Sequence, residues 1–378
     1  MRPVLMSKFN KRVVCHITSV HRAFDVRIFH KQCKTLSGVG FSVVLVAVGN
    51  EEDTIVEGVK VKYVKPPSNR LVRVFFTSFK VAVRAYTSKA SVYHMHDPEL
   101  LPLALLFSLI GKKVIFDFHE DVEAKLIERE WLAKPLRAFT VKIFKLLSSA
   151  GAKLFAAKIA ATPKIASMHS GKVVEVIANY PVASLLAEET PDIPYRADNF
   201  DLIYTGGWSQ NRGARELVNS MEYVKHPQVK LVVIGQIQPE EQEYVRKLEG
   251  YKRVADLGRV AYEDSIEQMQ KSAIGLVCSQ NGHGYEDALP NKLFEYMALG
   301  LPVIASEFTL WKDLLEEYES VIFVDPSNLR EIAEAIDFLI NNPERRREMG
   351  IKGTKAIKEK FSWEKEGKKL VNLYEGIL

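Results

Sequence analysis

Short apolar runs recur along this chain, each about the length of a strand and each followed by a longer stretch with helical spacing. In the first half they fall at 13–17, 43–48, 59–64, 92–94, 114–118, 156–161 and 173–177. In the second half they fall at 202–204, 230–234, 254–257, 274–278, 303–305 and 321–324. Runs of this kind separated by helices are the mark of parallel strands covered on both faces. Between the two series lies an acidic, turn-rich stretch at 188–195, which reads as a linker. The expected fold class is therefore α/β: two Rossmann-like, doubly wound parallel-sheet domains, 1–190 and 191–363, facing a cleft. Ligands of such sheets bind at the C-terminal ends of the strands.

The most informative stretch is 288–306, Ala-Leu-Pro-Asn-Lys-Leu-Phe-Glu-Tyr-Met-Ala-Leu-Gly-Leu-Pro-Val-Ile-Ala-Ser. It reads as a loop, a short helix, a tight turn and a buried strand. Asn291 is placed to cap the helix, Leu293, Phe294, Met297 and Ala298 form its inward stripe, and Gly300 suits a left-handed stop. Lys292 strengthens the positive field of the helix N-terminus, where an anion binds readily. Glu295, one turn in, is placed to accept hydroxyl protons such as those of a ribose. Read plainly, Lys292 and Glu295 are a solvated i,i+3 ion pair. Read with their surroundings, they suggest a nucleotide diphosphate site.

This segment resembles the donor-site motif of the GT4 family of retaining, GT-B-fold glycosyltransferases. The resemblance is closest to a bacterial and archaeal polysaccharide-type subgroup reading P-N-K-L-F-E-Y-M-A-x-G-x-P-V. It implies that Glu295 meets the donor ribose. Eight residues earlier, Asp287 would meet the donor sugar's hydroxyls, one methylene shorter than the family's glutamate. Leu289, Pro290 and Asn291 fall within the same donor motif. The end of the chain also resembles the family, implying that the helix at 364–378 crosses back to the N-terminal domain.

Further along the second half, Leu202-Ile-Tyr-Thr-Gly-Gly-Trp-Ser-Gln-Asn-Arg-Gly213 is a strand, a glycine turn and a helix start. Its glycines admit a phosphate to the backbone, and Arg212 can hold two phosphate oxygens. The plain reading is that Gly206 and Gly207 only make the turn. The family's pattern here is G-R-x-x-x-x-K-G, and its two cations match Gly207 and Arg212. One positive charge is thus missing, and Lys292 is expected to supply part of it. Gly235 and Val260 sit in strand-end turns that resemble those around the family's nucleobase.

In the first half, Thr18 to His30 follows the first strand without a glycine, so it is no dinucleotide fingerprint. His21, Arg22, Asp25 and Arg27 could line an acceptor site; alternatively Asp25 caps the next helix and Arg27 is solvated. His-x-x-x-Asp-x-Arg-Ile-Phe resembles the opening of the same subgroup. Asp97 before Pro98 reads as a helix cap, leaving His96 as a site residue at the strand tip. Phe116-Asp-Phe-His-Glu-Asp121 resembles the subgroup's D-x-H-E signature, which implies that His119 lies near the reacting sugar, with Glu120 on the acceptor side. His94, His96 and His119 could also be read as a metal cluster, but no carboxylate or cysteine spacing supports one, so no metal is expected.

Charge adds one asymmetry. Residues 1–190 carry 28 Lys and Arg against 16 Asp and Glu, a net of +12, so with +5 overall the remainder carries −7. The basic stretches at 69–89 and 125–164 interleave cations with apolar residues, a pattern that suits peripheral contact with an anionic membrane face and also ordinary amphipathic helices. Nucleic acid is not an expected partner, since no recognition module accompanies the charge. Three scattered cysteines fit a reducing cytoplasm, with no signal peptide and no membrane span. The expected function is a retaining hexosyltransferase taking a nucleotide diphosphate sugar, a UDP-sugar first, to a glycan or lipid-linked acceptor in polysaccharide or glycoconjugate synthesis. Its catalytic residues would be His119, Asp287, Arg212 and Lys292, and no cofactor is expected beyond the donor. A UDP-sugar 2-epimerase of the same fold and a silent binding subunit remain the alternatives.

Overall fold

The computed structural model describes residues 12–69, 73–119, 122–127, 134–169, 171, 173–183, 199–282 and 284–378. It contains two compact units: residues 1–179 with 364–378, and residues 180–363. Residues 180–183 thus belong to the second unit, ahead of the boundary expected at 190. The acidic stretch at 188–195 lies outside the described residues.

The first unit holds β1 (Val13–Arg22), β2 (Ser42–Val48), β3 (Thr54–Val56), β4 (Val59–Val64), β5 (Val92–Met95), β6 (Lys113–Phe118), β7 (Ala157–Ala160) and β8 (Val174–Val176). Their order across the sheet is 3-4-2-1-5-6-7-8. Every pairing is parallel except β3 with β4. β3 has no counterpart in the apolar pattern. It is three residues long and returns through Glu57 (φ 48°) and Gly58 (φ 78°), two left-handed residues that make a tight hairpin turn.

The second unit holds β9 (Asp201–Thr205), β10 (Lys230–Ile234), β11 (Val254–Asp256), β12 (Ile274–Val277), β13 (Val303–Ser306) and β14 (Val321–Val324). Their order is 11-10-9-12-13-14, all parallel. Alternation sends successive residues to opposite faces: Leu202, Tyr204, Leu231 and Val233 enter one core, Ile203, Val232 and Ile234 the other. Two buried faces per strand explain why these runs are apolar throughout rather than alternating.

In each sheet the first strand is flanked by strands reached in opposite directions, β2 and β5 around β1, and β10 and β12 around β9. The C-terminal tips of β1 and β9 therefore open at a switch point, where such folds bind ligands.

The first unit's core contains a buried ion pair. Asp25 caps a π-helical stretch, Val26–Cys33, through bonds from the amides of Arg27 and Ile28. Arg27 is not solvated; it turns inward and grips Asp117 of β6, with Nε to Oδ2 at 2.9 Å and Nη2 to Oδ1 at 2.8 Å. Gln32 donates to the same carboxylate at 2.8 Å, and the guanidinium also donates to the carbonyl of Ile177 at 3.1 Å. Burial pushes the Asp117 carboxyl up, but the Arg27 charge and the bonds from His96 and Arg27 overcome it and hold the group well below the usual range.

The last helix, Trp363–Ile377, packs in this unit through buried Tyr374, while Glu366 accepts the amide of Ala178 at 2.8 Å. Breaking one partner of the Asp117 pair leaves a buried charge uncompensated. Arg27→Met is expected to cost about 3–5 kcal/mol in urea unfolding, and adding Asp117→Leu should restore much of it. Because the Asp117 carboxyl is depressed in the fold, the stability it contributes is present above the ordinary carboxylate range and should be lost as the pH falls toward its folded value.

Candidate functional site

The donor-motif helix runs Asn291–Ala298, with Leu293, Phe294, Tyr296, Met297 and Ala298 buried. Pro290, not Asn291, occupies the cap position, and no side chain caps this end. The proline's fixed φ sets the boundary one residue early, so Asn291 becomes the first helical residue. Gly300 (φ 71°) ends the helix in the left-handed region. Tyr296 ties the helix to the tip of β9, its hydroxyl accepting the amide of Thr205 at 2.8 Å.

A cavity of about 490 Å³ opens beside this helix, inside the second unit. Gly206, Arg212, Pro290, Asn291, Lys292 and Glu295 line it. Arg212 closes a short turn, Gln210–Arg212, and precedes Gly213 (φ 79°), whose missing side chain avoids the carbonyl of Cys278. The guanidinium donates to the carbonyl of Gly207 at 3.0 Å and to the hydroxyl of Tyr285 at 3.1 Å.

Lys292 does not form the solvated pair with Glu295 that spacing suggested. Part of its stem is exposed, but its Nζ is buried without a hydrogen-bond partner, 3.4 Å above the ring centre of Tyr204. Tyr204 is buried and donates to the carbonyl of Gly207 at 3.0 Å, so its ring is fixed in place. Burial first, and the neighbouring charge of Arg212 second, hold the Lys292 amine well below its ordinary range, against the smaller opposing pull of Cys278 and Glu295. The cavity thus offers a guanidinium, an amine with proton capacity to spare, and a carboxylate at one helix start.

The remaining donor-side residues shape the site rather than line it. Gly207 and Gly235 (φ 149°) allow close backbone approach; a side chain on Gly235 would strike the carbonyl of Gly206. Val260 and Leu289 pack against the adjacent core. Asp287 is half-buried and outside the lining. The lining also contains Thr205, Ser279, Tyr285, and Tyr262, Ser265 and Met269 of the helix Tyr262–Lys271. Those last three fall at i, i+3 and i+7, one helical face, which was the available signal for them.

In the first unit, His21 stands between two carboxylates, Nδ1 3.4 Å from Asp25 and Nε2 3.5 Å from Asp97. Its ring meets that of His119 edge-on, with centres 5.2 Å apart. Asp97 sits at a helix boundary but makes no cap there. Its carboxylate turns back to β1, accepting from the hydroxyl of Thr18 (2.8 Å) and the amide of Ser19 (2.6 Å). Arg22 is exposed, and Glu120 lies outside the described residues.

His96 is fully interior, so it is not a site-lining residue at the strand tip. It belongs to a chain in which His94 Nδ1 meets the hydroxyl of Tyr374 (2.9 Å), that hydroxyl meets His16 Nε2 (3.2 Å), and His16 Nδ1 meets His96 Nε2 (3.0 Å). His96 Nδ1 then faces Asp117 at 3.3 Å. One assignment of neutral rings satisfies every link, each donor pointing toward Asp117. Among the described residues, the three nitrogens that could gather round an ion belong to His16, His94 and His96, within 4.8 Å of one another; His119 is not among them.

Residues 187–356, within the second unit, match the family model described as glycosyl transferases group 1. The capsular polysaccharide biosynthesis glycosyltransferase CapM of Staphylococcus aureus is 27% identical over 192 residues, 48% of this chain and 47% of that protein. The chain spans about half the length of the curated relatives it matches. Sucrose-phosphate synthase from Thermosynechococcus elongatus superposes with a TM-score of 0.72 at 18% identity, covering 97% of this chain and 99% of that one. Anabaena HepE, solved in complex with UDP, gives 0.72 at 16% identity, covering 97% and 100%. These likenesses make the fold GT-B.

An anion entering the cavity restores the charged form of Lys292, since an opposite charge raises an amine's pKa. Binding of UDP should therefore take up protons at pH values above the depressed range of the free Lys292 amine, and affinity should fall as pH rises through the range of the bound form. Calorimetry in buffers of differing ionisation enthalpy measures the uptake, which Lys292→Met should abolish.

Proposed function

We propose that this chain is a retaining glycosyltransferase that moves a sugar from a UDP-sugar to a hydroxyl of a glycan or lipid-linked acceptor, in polysaccharide or glycoconjugate assembly. One observation carries the reading: Arg212, Lys292 and Glu295 converge on a single cavity at the tip of β9, beside an uncapped helix start. Two cationic groups beside a carboxylate suit a diphosphate attached to a ribose. The UDP in the HepE complex and the polysaccharide role in the name of CapM support the same choice of substrates.

In the proposed reaction the diphosphate lies against Arg212 and Lys292, and Glu295 accepts from the ribose hydroxyls. The bond from the anomeric carbon to the diphosphate oxygen breaks with oxocarbenium character. The acceptor oxygen attacks the same carbon from the same face, and its proton passes to the departing phosphate. Fixed cations are most effective on the charge that develops as this bond lengthens. Asp287 would hold the donor sugar, and His119 would orient donor and acceptor.

The absence of an arginine at 207 also has a spatial explanation. A side chain there would begin 3.0 Å from Nη1 of Arg212, which already fills the position. Arg212 and the amine of Lys292 thus take the place of the family's paired cations. The residues that this assignment names are testable directly. Arg212→Ala should lower turnover of a UDP-sugar by about 10²–10³, the loss typical of one transition-state donor. Glu295→Ala should weaken UDP binding in a thermal-shift titration. Full activity and unchanged UDP affinity in both variants would overturn the site.

A further inference from the structure

Three helices of the first unit, Ser78–Tyr86, Leu101–Leu109 and Lys134–Leu154, pack into one core with Ile17, Tyr93 and Phe116 of the sheet. The middle helix touches both of the others: Phe107 meets Tyr86 edge-on with ring centres 5.8 Å apart, and Lys134–Leu154 packs along its other side. None of the three contains an aspartate or a glutamate. We propose that their outer face rests on an anionic lipid bilayer, with apolar side chains among the acyl chains and lysines at the headgroups. The contact needs no sugar donor and stands apart from the transferase reading.

Each helix keeps a row of large apolar side chains in water. Phe76, in the turn just before the first helix, is followed by Phe79, Val83 and Tyr86 at intervals of three, four and three residues. Leu136, Phe139, Ile143 and Leu146 repeat the same intervals on the third helix. Such spacing puts each set on one helical stripe. Leu106, Leu109 and Ile110 continue the apolar surface on and just after the middle helix. Leu109 is 69% exposed and Leu146 70%. Contiguous apolar surface of this kind marks a place where something else binds.

Charge decides what covers it. Lys80, Lys142 and Lys153 stand exposed on the same helices. Two carboxylates that reach the margins are held by cations of the face itself, Asp53 by Arg84 at 2.6 Å and Glu123 by Lys145 at 2.9 Å. A second copy of this face is a poor cover, because two-fold pairing would set lysine against lysine. Fluid acyl chains take up separate apolar rows without a matching shape, and anionic headgroups answer the lysines at about fivefold in affinity for each. Among the described residues no helix is long and apolar enough to cross a membrane, so the proposed contact is a surface one.

Vesicle flotation with the full chain tests this. Phosphatidylcholine vesicles with about one-third phosphatidylglycerol should carry the protein upward, and pure phosphatidylcholine should not. Raising the salt from about 0.1 M to about 1 M should weaken the binding by screening. Lys142→Gln should reduce affinity about fivefold, whereas Lys358→Gln, an equal loss of charge on the second unit, should leave it unchanged. Leu109→Gln combined with Leu146→Gln should reduce it more than about tenfold. All four side chains are exposed, and circular dichroism checks that each variant is folded. Folded protein that ignores the anionic vesicles would overturn the proposal, as would equal losses from Lys142→Gln and Lys358→Gln. Equal affinity for both kinds of vesicle would remove the headgroup assignment, and an undiminished double leucine variant would remove the insertion. A dimer in sedimentation that the leucine variant dissolves, with no vesicle binding, would hand the face to self-association instead.

Discussion

Asp117 keeps a full negative charge at a position closed to solvent, and its compensation by Arg27 organises the first unit. An unpaired carboxylate there would be several kcal/mol too costly to keep ionised, on the order of the penalty for any buried ion. Three parts of the chain meet because of it. The capped helix supplies Arg27 and Gln32, β6 supplies the carboxylate, and the carbonyl of Ile177 takes the guanidinium's remaining donors. Through His96, His16 and Tyr374 the same charge also orders the hydrogen bonds that fasten the last helix. Cooperative chains of this kind are strongest when complete. Here three buried atoms of the network, His94 Nε2, His96 Nδ1 and Gln32 Oε1, make no hydrogen bond, although His96 Nδ1 lies 3.3 Å from Asp117.

The second unit treats its buried charge differently. Among the described residues no carboxylate bonds the Lys292 amine; an aromatic face and a guanidinium lie beside it instead. The fold leaves that desolvation uncompensated, whereas Arg27 and Asp117 cancel internally. A structural pair satisfies itself, and a ligand site reserves its unmet capacity for what arrives. The contrast between the two lysine and arginine environments is therefore functional information, independent of any motif.

The strands were legible because burial on both faces writes an uninterrupted apolar run. β3 was not, being too short for a period and paired on one side only. Arg27 read as a cleft-lining or solvated residue because its partner lies 90 residues away, and nothing local marks a salt bridge of that span. Alternation placed His94 and His96 on one face, but the third ring, His16, comes from a neighbouring strand in register with His94. Pattern alone does not convey register. Lys292 and Glu295 were found by their setting, yet the relation between them was misjudged, since Tyr204 is remote in sequence and draws the amine away. Tyr262, Ser265 and Met269 were overlooked for the opposite reason: they carry no charge to attract notice.

The small hairpin at the margin of the first sheet has a consequence for how copies of this protein behave at high concentration. Without Thr54–Val56, β4 would present a row of unpaired amides and carbonyls along a parallel sheet, an open template for a strand from another molecule. The hairpin covers the first half of that template, Val59–Val61, with a strip only three residues long, which offers an incoming chain too few bonds to hold it. Its reversal of direction interrupts the parallel register as well. The margin is thereby protected from intermolecular strand addition, and colloidal behaviour is decoupled from the chemistry at the opposite ends of the strands.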